Sequence, residues 1–344
     1  MPIDPTAKRN VGRSTLKVPT LGLGTVFLAD PDALHTEAEA DAVMEAAWNA
    51  GVRYFDTAPW YGNTLAEHRL GRALWRRPRE SFVLTTKIGR TYRRPKDAAG
   101  FDFPRWKGGL KFELRFDYGR DAVQRSYEDS LQRLGLNTVD ALAIHDLDLR
   151  FHQTEEKVKH YLDQLDGGGG FRVLEDLKRA GEIKAIGAGI NHTGMIPQFL
   201  ERFAMDYFLV AMPYTLLDQQ ALDGELALCA ARGVSVVIGA PFASGILATG
   251  AVRGARYRYV TAEPDIVDKV KRIEAVCARH AVPLAAAALQ FPLFHPVVAA
   301  TIPGADAPAQ IEANVAHLQR AIPPAFWAEL KGAGLLRADA PTGD

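Results

Sequence analysis

The sequence predicts an α/β protein of the closed (β/α)8 barrel type, preceded by a β-hairpin, and three observations support this. Short apolar runs rich in β-branched residues alternate with longer amphipathic segments along the chain. Eight such runs occur, the number of strands in a closed barrel. The chain has 344 residues. A barrel needs about 250 residues, so roughly 90 remain for the hairpin and for enlarged loops.

The eight candidate strands share an apolar, β-branched composition and are bounded by turn-forming residues. They are residues 19–25, 52–57, 81–87, 139–145, 183–189, 207–212, 234–240 and 296–302. The hairpin that precedes them occupies residues 10–20, with a tight turn near Gly12.

Helix signals fill the intervals between these strands. Residues 36–51, 119–135 and 171–181 each end in glycine, which readily adopts the left-handed conformation of a helix C-cap. The first of these segments also carries acids in its opening turn. Residues 262–281 form another amphipathic segment, with Pro264 near its start, where a missing N–H does no harm.

Two segments interrupt the alternation and predict enlarged loops. Residues 88–118 have no helical period and contain many turn formers. Residues 146–170 end in four glycines and are long enough to include a short helix. They follow the third and fourth strands at the carboxyl ends, where a barrel carries its active site, so we expect functional lids. Neither an internal repeat nor a linker is visible, so we expect one domain over residues 1–344.

The composition excludes several classes of function. Lys+Arg and Asp+Glu both total 41, so we expect no nucleic-acid partner. Cys229 and Cys277 form no disulfide framework and no CxxC motif, which fits a reducing, cytoplasmic location. The longest apolar run, residues 281–289, covers less than half a membrane span. The nine histidines include no i, i+4 pair at a strand end, so we expect no metal site. A homo-oligomer is left open.

The alternative architecture is a doubly wound dinucleotide-binding fold. That fold needs GxGxxG between a strand and a helix. In residues 187–194 the third glycine is replaced by His192, and after Gly22 and Gly24 it is replaced by Phe27. The fingerprint is therefore missing, and the barrel is favoured.

Four polar residues stand at or just past the ends of the second, third and fourth strands: Asp56, Tyr61, Lys87 and His145. The carboxyl ends of the strands of a parallel barrel converge on one mouth. Each residue alone has an ordinary explanation, as a helix cap, a packed aromatic, a rim charge or a core histidine. Independent structural roles would be scattered over eight loops, so their joint placement predicts a shared site.

These four residue types suit the movement of a proton. A free tyrosine titrates near pH 10. The Lys87 cation would favour the phenolate of Tyr61, and the Asp56 carboxylate would hold that lysine in place. His145 could donate to a substrate oxygen or relay the proton. We therefore predict Tyr61 as the acid in carbonyl reduction and the base in alcohol oxidation. No side chain supplies a hydride, so a nicotinamide cofactor is implied.

With these residues in place, the sequence resembles the aldo-keto reductases from about residue 10 to residue 320. The resemblance is carried by the motifs STLKVPTLGLGT, FDTAPWYG, the lysine closing VLTTK, DSLQRLGLNTVDALAIHD and IPGADAPAQIEANV. It implies a (β/α)8 barrel that binds NADP or NAD without a Rossmann fold. The motifs IHDLD, PYTLLDQ and APFASGIL resemble the branch of D-threo-aldose 1-dehydrogenases, L-fucose, L-galactose and pyridoxal 4-dehydrogenases, which oxidise cyclic hemiacetals to lactones.

The resemblance also implies a set of cofactor contacts. Asn191 matches the family asparagine that binds the nicotinamide carboxamide, but the neighbouring serine is Ile190 here. The glutamine expected three residues before Tyr214 is Ala211, and the aromatic that stacks on the nicotinamide is replaced by Gly239. The small residues of the seventh strand's loop could let the backbone approach the pyrophosphate. The expected cofactor contacts are Gly24, Thr25, Asn191, Tyr214, Gly239, Ala240, Pro241, Phe242, Ser244, Gly245, Leu247, Ile302, Pro303, Gly304, Asp306, Gln310 and Asn314.

The choice between NAD and NADP is predicted from residues 302–315. Relatives that prefer NADP carry a lysine and an arginine for the 2′-phosphate, which needs cationic partners. Gly304 and Gln310 occupy those positions here, with Asp306 between them, so we expect NAD to be favoured over NADP. Asn314 matches the family residue that contacts the adenine.

Substrate contacts are expected from Trp60, Trp106 and Asp146 at the mouth. A tryptophan can stack on a sugar ring or a pyridine ring, and Asp146 could bind sugar hydroxyls or orient His145. We expect NAD(P)-dependent oxidation of an aldose or related hemiacetal at C1. The alternatives are a pyridoxal 4-dehydrogenase, a general aldehyde and ketone reductase, and a cofactor-binding regulatory subunit. Retention of all four catalytic residue types argues against the last.

Overall fold

The computed structural model describes residues 2–343, and within them fourteen strands form one eight-stranded sheet and three hairpins. In chain order the strands are β1 (Lys8–Asn10), β2 (Lys17–Pro19), β3 (Leu23–Gly24), β4 (Tyr54–Asp56), β5 (Val83–Ile88), β6 (Arg90–Arg93), β7 (Glu113–Phe116), β8 (Ala141–His145), β9 (Ala185–Ile190), β10 (Tyr207–Val210), β11 (Ser235–Ile238), β12 (Arg256–Tyr257), β13 (Val260–Thr261) and β14 (Val298–Thr301).

The eight-stranded sheet is parallel throughout and closes on itself. Its order is β14-β11-β10-β9-β8-β5-β4-β3, and parallel bridges from Leu21 to Thr301 and from Gly24 to Gly304 join the two edges. All eight predicted strands are present, so the predicted (β/α)8 barrel is confirmed.

The three hairpins lie outside the barrel sheet. β1 pairs antiparallel with β2, as predicted, although the hairpin begins at Lys8. Residues 88–118 form the predicted enlarged loop after β5, and β6 and β7 pair antiparallel within it. Their register joins Arg90 to Phe116 across a long intervening segment, a pairing that local composition does not reveal. β12 and β13 form a further hairpin in the segment after β11.

Thirteen α-helices occur within the described residues. They are α1 (Glu37–Asn49), α2 (Leu65–Leu74), α3 (Arg120–Leu134), α4 (Leu149–His152), α5 (Glu155–Asp166), α6 (Gly170–Ala180), α7 (Met195–Arg202), α8 (Glu225–Arg232), α9 (Ile246–Thr249), α10 (Pro264–Arg279), α11 (Leu284–Gln290), α12 (Pro308–Gln319) and α13 (Pro324–Gly332). The expected loop at residues 146–170 thus holds two helices, of which α5 has 12 residues and is capped by Thr154.

The residues predicted to begin and end helices lie at helix ends in the structure. Thr36 and Glu39 form a reciprocal capping box at the start of α1. Gly135 ends α3 in the left-handed conformation, and Pro264 is the first residue of α10. No helix of residues 2–343 is long and apolar enough to cross a membrane.

The packing of side chains inside the barrel determines where the candidate site lies. Small residues on β8 and β9 leave room for the rings of Tyr54 and Tyr207, and a Cβ on Gly187 would lie 2.3 Å from the Tyr207 ring. Because side chains alternate along a strand, Asp56 points to the same side as Tyr54, two residues before it. The carboxyl ends of the neighbouring strands therefore bring polar side chains together above this packed layer.

Candidate active site

Lys87 is the centre of the site. Its side chain is 1% exposed, and its ammonium donates to Asp56 Oδ1 at 2.5 Å, to the main-chain oxygen of Thr57 at 2.8 Å and to Tyr61 Oη at 3.2 Å. An ammonium has three N–H groups, so all three are used. The second carboxylate oxygen of Asp56 accepts from the Thr85 hydroxyl at 2.7 Å. These bonds fix the lysine and aim one donor at the phenol.

The two aromatic members of the predicted set lie beside this ammonium. Tyr61 stands in the turn after β4 and is half-buried. His145 ends β8, and its ring lies 5.7 Å from the Tyr61 ring at an angle of 84°. The structure therefore brings Asp56, Tyr61, Lys87 and His145 together at the carboxyl ends of β4, β5 and β8.

The electrostatics of Tyr61 differ from the expectation. Burial raises the pKa of Tyr61 above its ordinary value, and Lys87, the next largest influence, lowers it, while Asp56 and Asp146 raise it. Lys87 thus acts in the expected direction but does not determine the net shift, so the phenol is protonated at neutral pH. Burial lowers the pKa of Lys87, but the Asp56 carboxylate and Tyr61 outweigh it, so the net shift is upward. The lysine therefore remains a cation.

His145 is neutral in this setting. Burial lowers its pKa well below the ordinary value, and the cations of Arg90 and Lys87 lower it further. Its Nε2 lies 3.2 Å from Asp146 Oδ2, and no residue between positions 2 and 343 makes a hydrogen bond to its Nδ1. A neutral imidazole that keeps one N–H can donate to a substrate oxygen.

Aromatic rings form one wall of the site. The Trp60 ring lies 5.0 Å from Trp106, 5.0 Å from Phe151 and 6.1 Å from His145, all edge-to-face. Trp106 is buried, so it supports Trp60 from behind. Phe151 belongs to α4. The sequence does not single out this residue, because it lies within the predicted loop at residues 146–170.

Asp146 lies among polar partners that sequence analysis also missed. It accepts from Arg90 Nη2 at 2.9 Å and from Asn191 Nδ2 at 2.9 Å. Asn191 is held further by buried Asp148, which accepts from its amide and main-chain nitrogens, each at 2.9 Å. The only signals in the sequence were an arginine three residues after Lys87 and a second acid in IHDLD.

The predicted cofactor contacts on the first and last strands lie next to each other. Gly24 N donates to the Pro303 oxygen at 3.1 Å, and Gly24 bridges to Gly304. The Thr25 hydroxyl donates to the main-chain oxygen of Asp56 at 3.0 Å, so this seam lies beside the backbone of Asp56. Ile302 is buried in the barrel interior below it.

The loop after β11 carries a second group of predicted contacts: Gly239, Ala240, Pro241, Phe242, Ser244, Gly245 and Leu247. Its Ser244 and Gly245 have positive φ angles, and a Cβ on Gly245 would meet nothing within 4 Å. Ser244 Oγ accepts from Tyr259 N at 2.9 Å, and the guanidinium carbon of Arg150 lies 4.0 Å from the Tyr259 ring. The β12–β13 hairpin, absent from the sequence predictions, thus folds onto this loop. Leu247 is buried.

Tyr214 stands apart from the other predicted contacts. It is fully buried, its ring lies 5.2 Å from Phe291, and its hydroxyl has no partner among the described residues. These are the surroundings of a core aromatic, and a contact of Tyr214 with the cofactor stays a prediction.

The segment expected to select the cofactor is held by its own side chains. Gln310 Nε2 donates to Asp306 Oδ1 at 2.6 Å, and Asp306 N donates back to Gln310 Oε1 at 3.0 Å. Both residues are exposed at the start of α12, and Asn314 is buried one turn further along it. The acid and the amide therefore face solvent as a bonded pair.

The residues present fit a nicotinamide. Both amide N–H groups of Asn191 are used by Asp146 and Asp148, so its Oδ1 is the free end of the amide, and no side chain in the described part of the chain donates to it. A carbonyl oxygen fixed in this way can accept from the N–H of a carboxamide. In the same part of the chain, no three His, Cys, Asp or Glu side chains are grouped to hold a metal ion.

The chain is similar to known dehydrogenases and reductases. Pyridoxal 4-dehydrogenase from Microbacterium luteolum is 39% identical over 98% of this chain and 100% of its own length. D-threo-aldose 1-dehydrogenase from Pseudomonas sp is 36% identical over 93% of this chain and 95% of its own. The holo form of an aldo-keto reductase from Bacillus halodurans superposes with a TM-score of 0.75 at 26% identity, covering 97% of this chain and 98% of that one. The model of the aldo/keto reductase family matches residues 20–334. The chain therefore belongs to the aldo/keto reductase family.

Proposed function

We propose that this chain is an NAD(P)-dependent dehydrogenase that oxidises the hemiacetal carbon of a cyclic substrate to a lactone, with Tyr61 as general acid and base. One observation carries the proposal: the third N–H of the buried Lys87 ammonium points at Tyr61 Oη from 3.2 Å. A cation at that distance stabilises the phenolate relative to the phenol. The phenolate is the base that removes the proton from the substrate hydroxyl during oxidation.

Each residue then has a defined task. Tyr61 takes the proton of the substrate hydroxyl during oxidation and returns it during reduction. Lys87 stabilises the phenolate, and Asp56 holds Lys87. The neutral imidazole of His145 donates to the substrate oxygen. A nicotinamide, when bound, would supply the hydride acceptor.

Pyridoxal, in its cyclic hemiacetal form, is the substrate that the site favours. A flat heteroaromatic ring matches the wall of Trp60, Phe151 and Trp106. A sugar needs free polar groups, but the carboxylate of Asp146 is already shared between Arg90 and Asn191. The similarity to a pyridoxal 4-dehydrogenase supports this choice. An aldose is the second candidate, supported by the similarity to D-threo-aldose 1-dehydrogenase.

A substrate panel tests the proposed function. Pyridoxal, L-fucose and D-arabinose are each incubated with NAD or NADP, and the reduced cofactor and the lactone are measured. We expect pyridoxal to have the highest kcat/KM. A preference for a sugar would overturn the choice of substrate, and cofactor binding without turnover of any alcohol or carbonyl compound would favour the regulatory subunit.

Trp60→Ala should lower kcat/KM for pyridoxal by about tenfold, since an aromatic pair contributes up to roughly 1.5 kcal/mol. The loss should fall mainly on KM, because stacking binds the ground state and the transition state alike. Trp75→Ala is the matched control, because Trp75 is 53% exposed on the surface. Equal effects of the two substitutions would remove Trp60 from the substrate pocket.

The bonded pair at α12 yields a prediction about the cofactor. An arginine at position 310 alone would be neutralised by Asp306, its partner one turn away. We therefore expect Asp306→Ser/Gln310→Arg to raise kcat/KM with NADP relative to NAD by about tenfold, through a new cation for the 2′-phosphate. Asp306→Ser alone is the control and should change the ratio less. An unchanged ratio in the double variant would show that this segment does not face the 2′ position.

A further inference from the structure

We propose that Arg90 and Asp146 are a buried pair of positioning residues that orients His145 on the substrate side and Asn191 on the cofactor side together. The inference deepens the proposed function and rests on it for the roles of those two residues. The carboxylate of Asp146 links the two sides of the site through its two oxygens. Oδ2 lies next to Arg90 and His145, and Oδ1 accepts from Asn191.

Arg90 is fixed more firmly than a surface arginine. Its side chain is 1% exposed, and its guanidinium carbon lies 4.9 Å from each of the rings of Trp60, Phe116 and Phe151. Its Nη2 lies 2.9 Å from Asp146 Oδ2. A cation enclosed by three aromatic rings and one carboxylate has few alternative rotamers, so it holds the carboxylate in one place.

Towards the substrate, the carboxylate sets the state of His145. Asp146 has a φ of 51°, which turns the chain at the end of β8 and leaves Oδ2 3.2 Å from His145 Nε2. Oδ2 lies near Nε2 without forming a hydrogen bond to it, so the carboxylate favours the tautomer with its proton on Nε2 and leaves that N–H free for the substrate oxygen. The other charged or titratable groups around His145 are Lys87, Tyr61 and Arg90, and the Tyr118 hydroxyl donates to its main-chain oxygen.

Towards the cofactor, the same carboxylate sets the amide of Asn191. Its Nδ2 donates to Asp146 Oδ1 and Asp148 Oδ2, each at 2.9 Å. With both N–H groups engaged, the amide presents its oxygen to the site. Loss of the Asp146 charge would leave Asp148 as the single anchor, and the amide could rotate.

A purely structural role explains the pair poorly. Burying two ionised groups costs solvation free energy, and well-packed apolar side chains of the same volume would often serve stability equally well. The pair is instead in contact with one residue from each half of the site. Substitutions in this pair are therefore expected to change both kcat and the affinity for the cofactor.

The test compares Arg90→Met, Arg90→Lys and Asp146→Asn with Arg93→Met, an exposed arginine of the same strand paired with Glu113. The dissociation constant for NAD is measured by tryptophan fluorescence, and kcat, KM and the pH profile are measured with pyridoxal. We expect Arg90→Met and Asp146→Asn to lower kcat by about tenfold to a hundredfold and to weaken NAD binding about fivefold or more, in line with the loss of other supporting interactions. Arg90→Lys should recover part of both, and Arg93→Met should change neither.

The pH profile separates positioning from folding. Removal of the Arg90 cation raises the pKa of His145, so the acid limb of kcat/KM should move to higher pH in Arg90→Met. Unchanged kcat, NAD affinity and acid limb in folded variants would overturn the inference. If Arg90→Met does not fold, Asp146→Asn decides by the same readouts. A wild-type protein without turnover would refute the proposed function, and the NAD affinities of the variants would then decide the inference alone.

Discussion

Tyr61→Phe is expected to lower kcat by about 10³-fold or more, because it removes the proton donor and acceptor and leaves the rest of the site in place. NAD affinity should change less than about twofold. The phenol makes one hydrogen bond, to Lys87, and that ammonium keeps its bonds to Asp56 and Thr57 when the hydroxyl is lost. Single-turnover kinetics and a cofactor titration measure the two quantities separately.

Tyr127→Phe provides the matched control for this substitution. Tyr127 lies on α3, and its hydroxyl donates to Glu182 rather than to a residue of the candidate site, at 3.1 Å. Tyr127→Phe removes a phenol oxygen from a buried ring, as Tyr61→Phe removes one from the site, so it measures the general effect of a missing hydroxyl. Wild-type turnover in Tyr61→Phe would remove the tyrosine from the mechanism.

The same phenol predicts the pH dependence of the wild-type enzyme. Burial raises the pKa of Tyr61 even though Lys87 opposes it, so the base form is the minor one at neutral pH. Oxidation uses the base form and reduction uses the acid form. The kcat/KM for oxidation should therefore rise from neutral to alkaline pH, while that for reduction stays level and falls only as the pH approaches the raised pKa of Tyr61. Profiles measured in both directions with the same cofactor couple test this sign.

The proximity of Asp56, Lys87 and His145 could be predicted from sequence because strand geometry determines their position. Asp56, Lys87 and His145 each lie at the end of an apolar run, and the carboxyl ends of parallel strands converge at one mouth. The register then brings Asp56 beside Thr85, and Lys87 beside Ala143 on the next strand. Periodicity and strand order were sufficient to place these side chains within reach of one another.

The partners of Asp146 could not be predicted in this way. The sequence leaves open whether Asp146 binds a substrate or orients His145, and it does not reveal that Arg90 and Asn191 donate to its carboxylate. Arg90 lies in β6, whose pairing with β7 depends on a register set across 88–118, and no local pattern reports such a pairing. The cofactor contact that the resemblance implies for Tyr214 stays a prediction, because its ring packs on Phe291.

A second large effect is expected on stability, at the buried Lys87–Asp56 pair. Lys87→Met should lower the free energy of unfolding by about 3–5 kcal/mol, because it leaves the Asp56 carboxylate buried without its cation. The contact joins Nζ to Oδ1 at 2.5 Å, with both side chains almost fully buried. Lys159→Met is the matched control, since Lys159 is 68% exposed in its pair with Asp163 and should cost less than about 1 kcal/mol.

Removing both charges distinguishes the structural role of the pair from its catalytic role. Lys87→Met/Asp56→Leu should recover most of the stability lost in Lys87→Met, because apolar replacements of a buried ion pair are often neutral. Turnover should not recover, since Tyr61 then lacks the ammonium that stabilises its phenolate. Urea unfolding and kcat, measured on the same two variants, show whether stability and turnover recover together or separately. Recovery of turnover together with stability would mean that the ammonium serves the fold alone, and proton transfer at Tyr61 would then need another source of stabilisation.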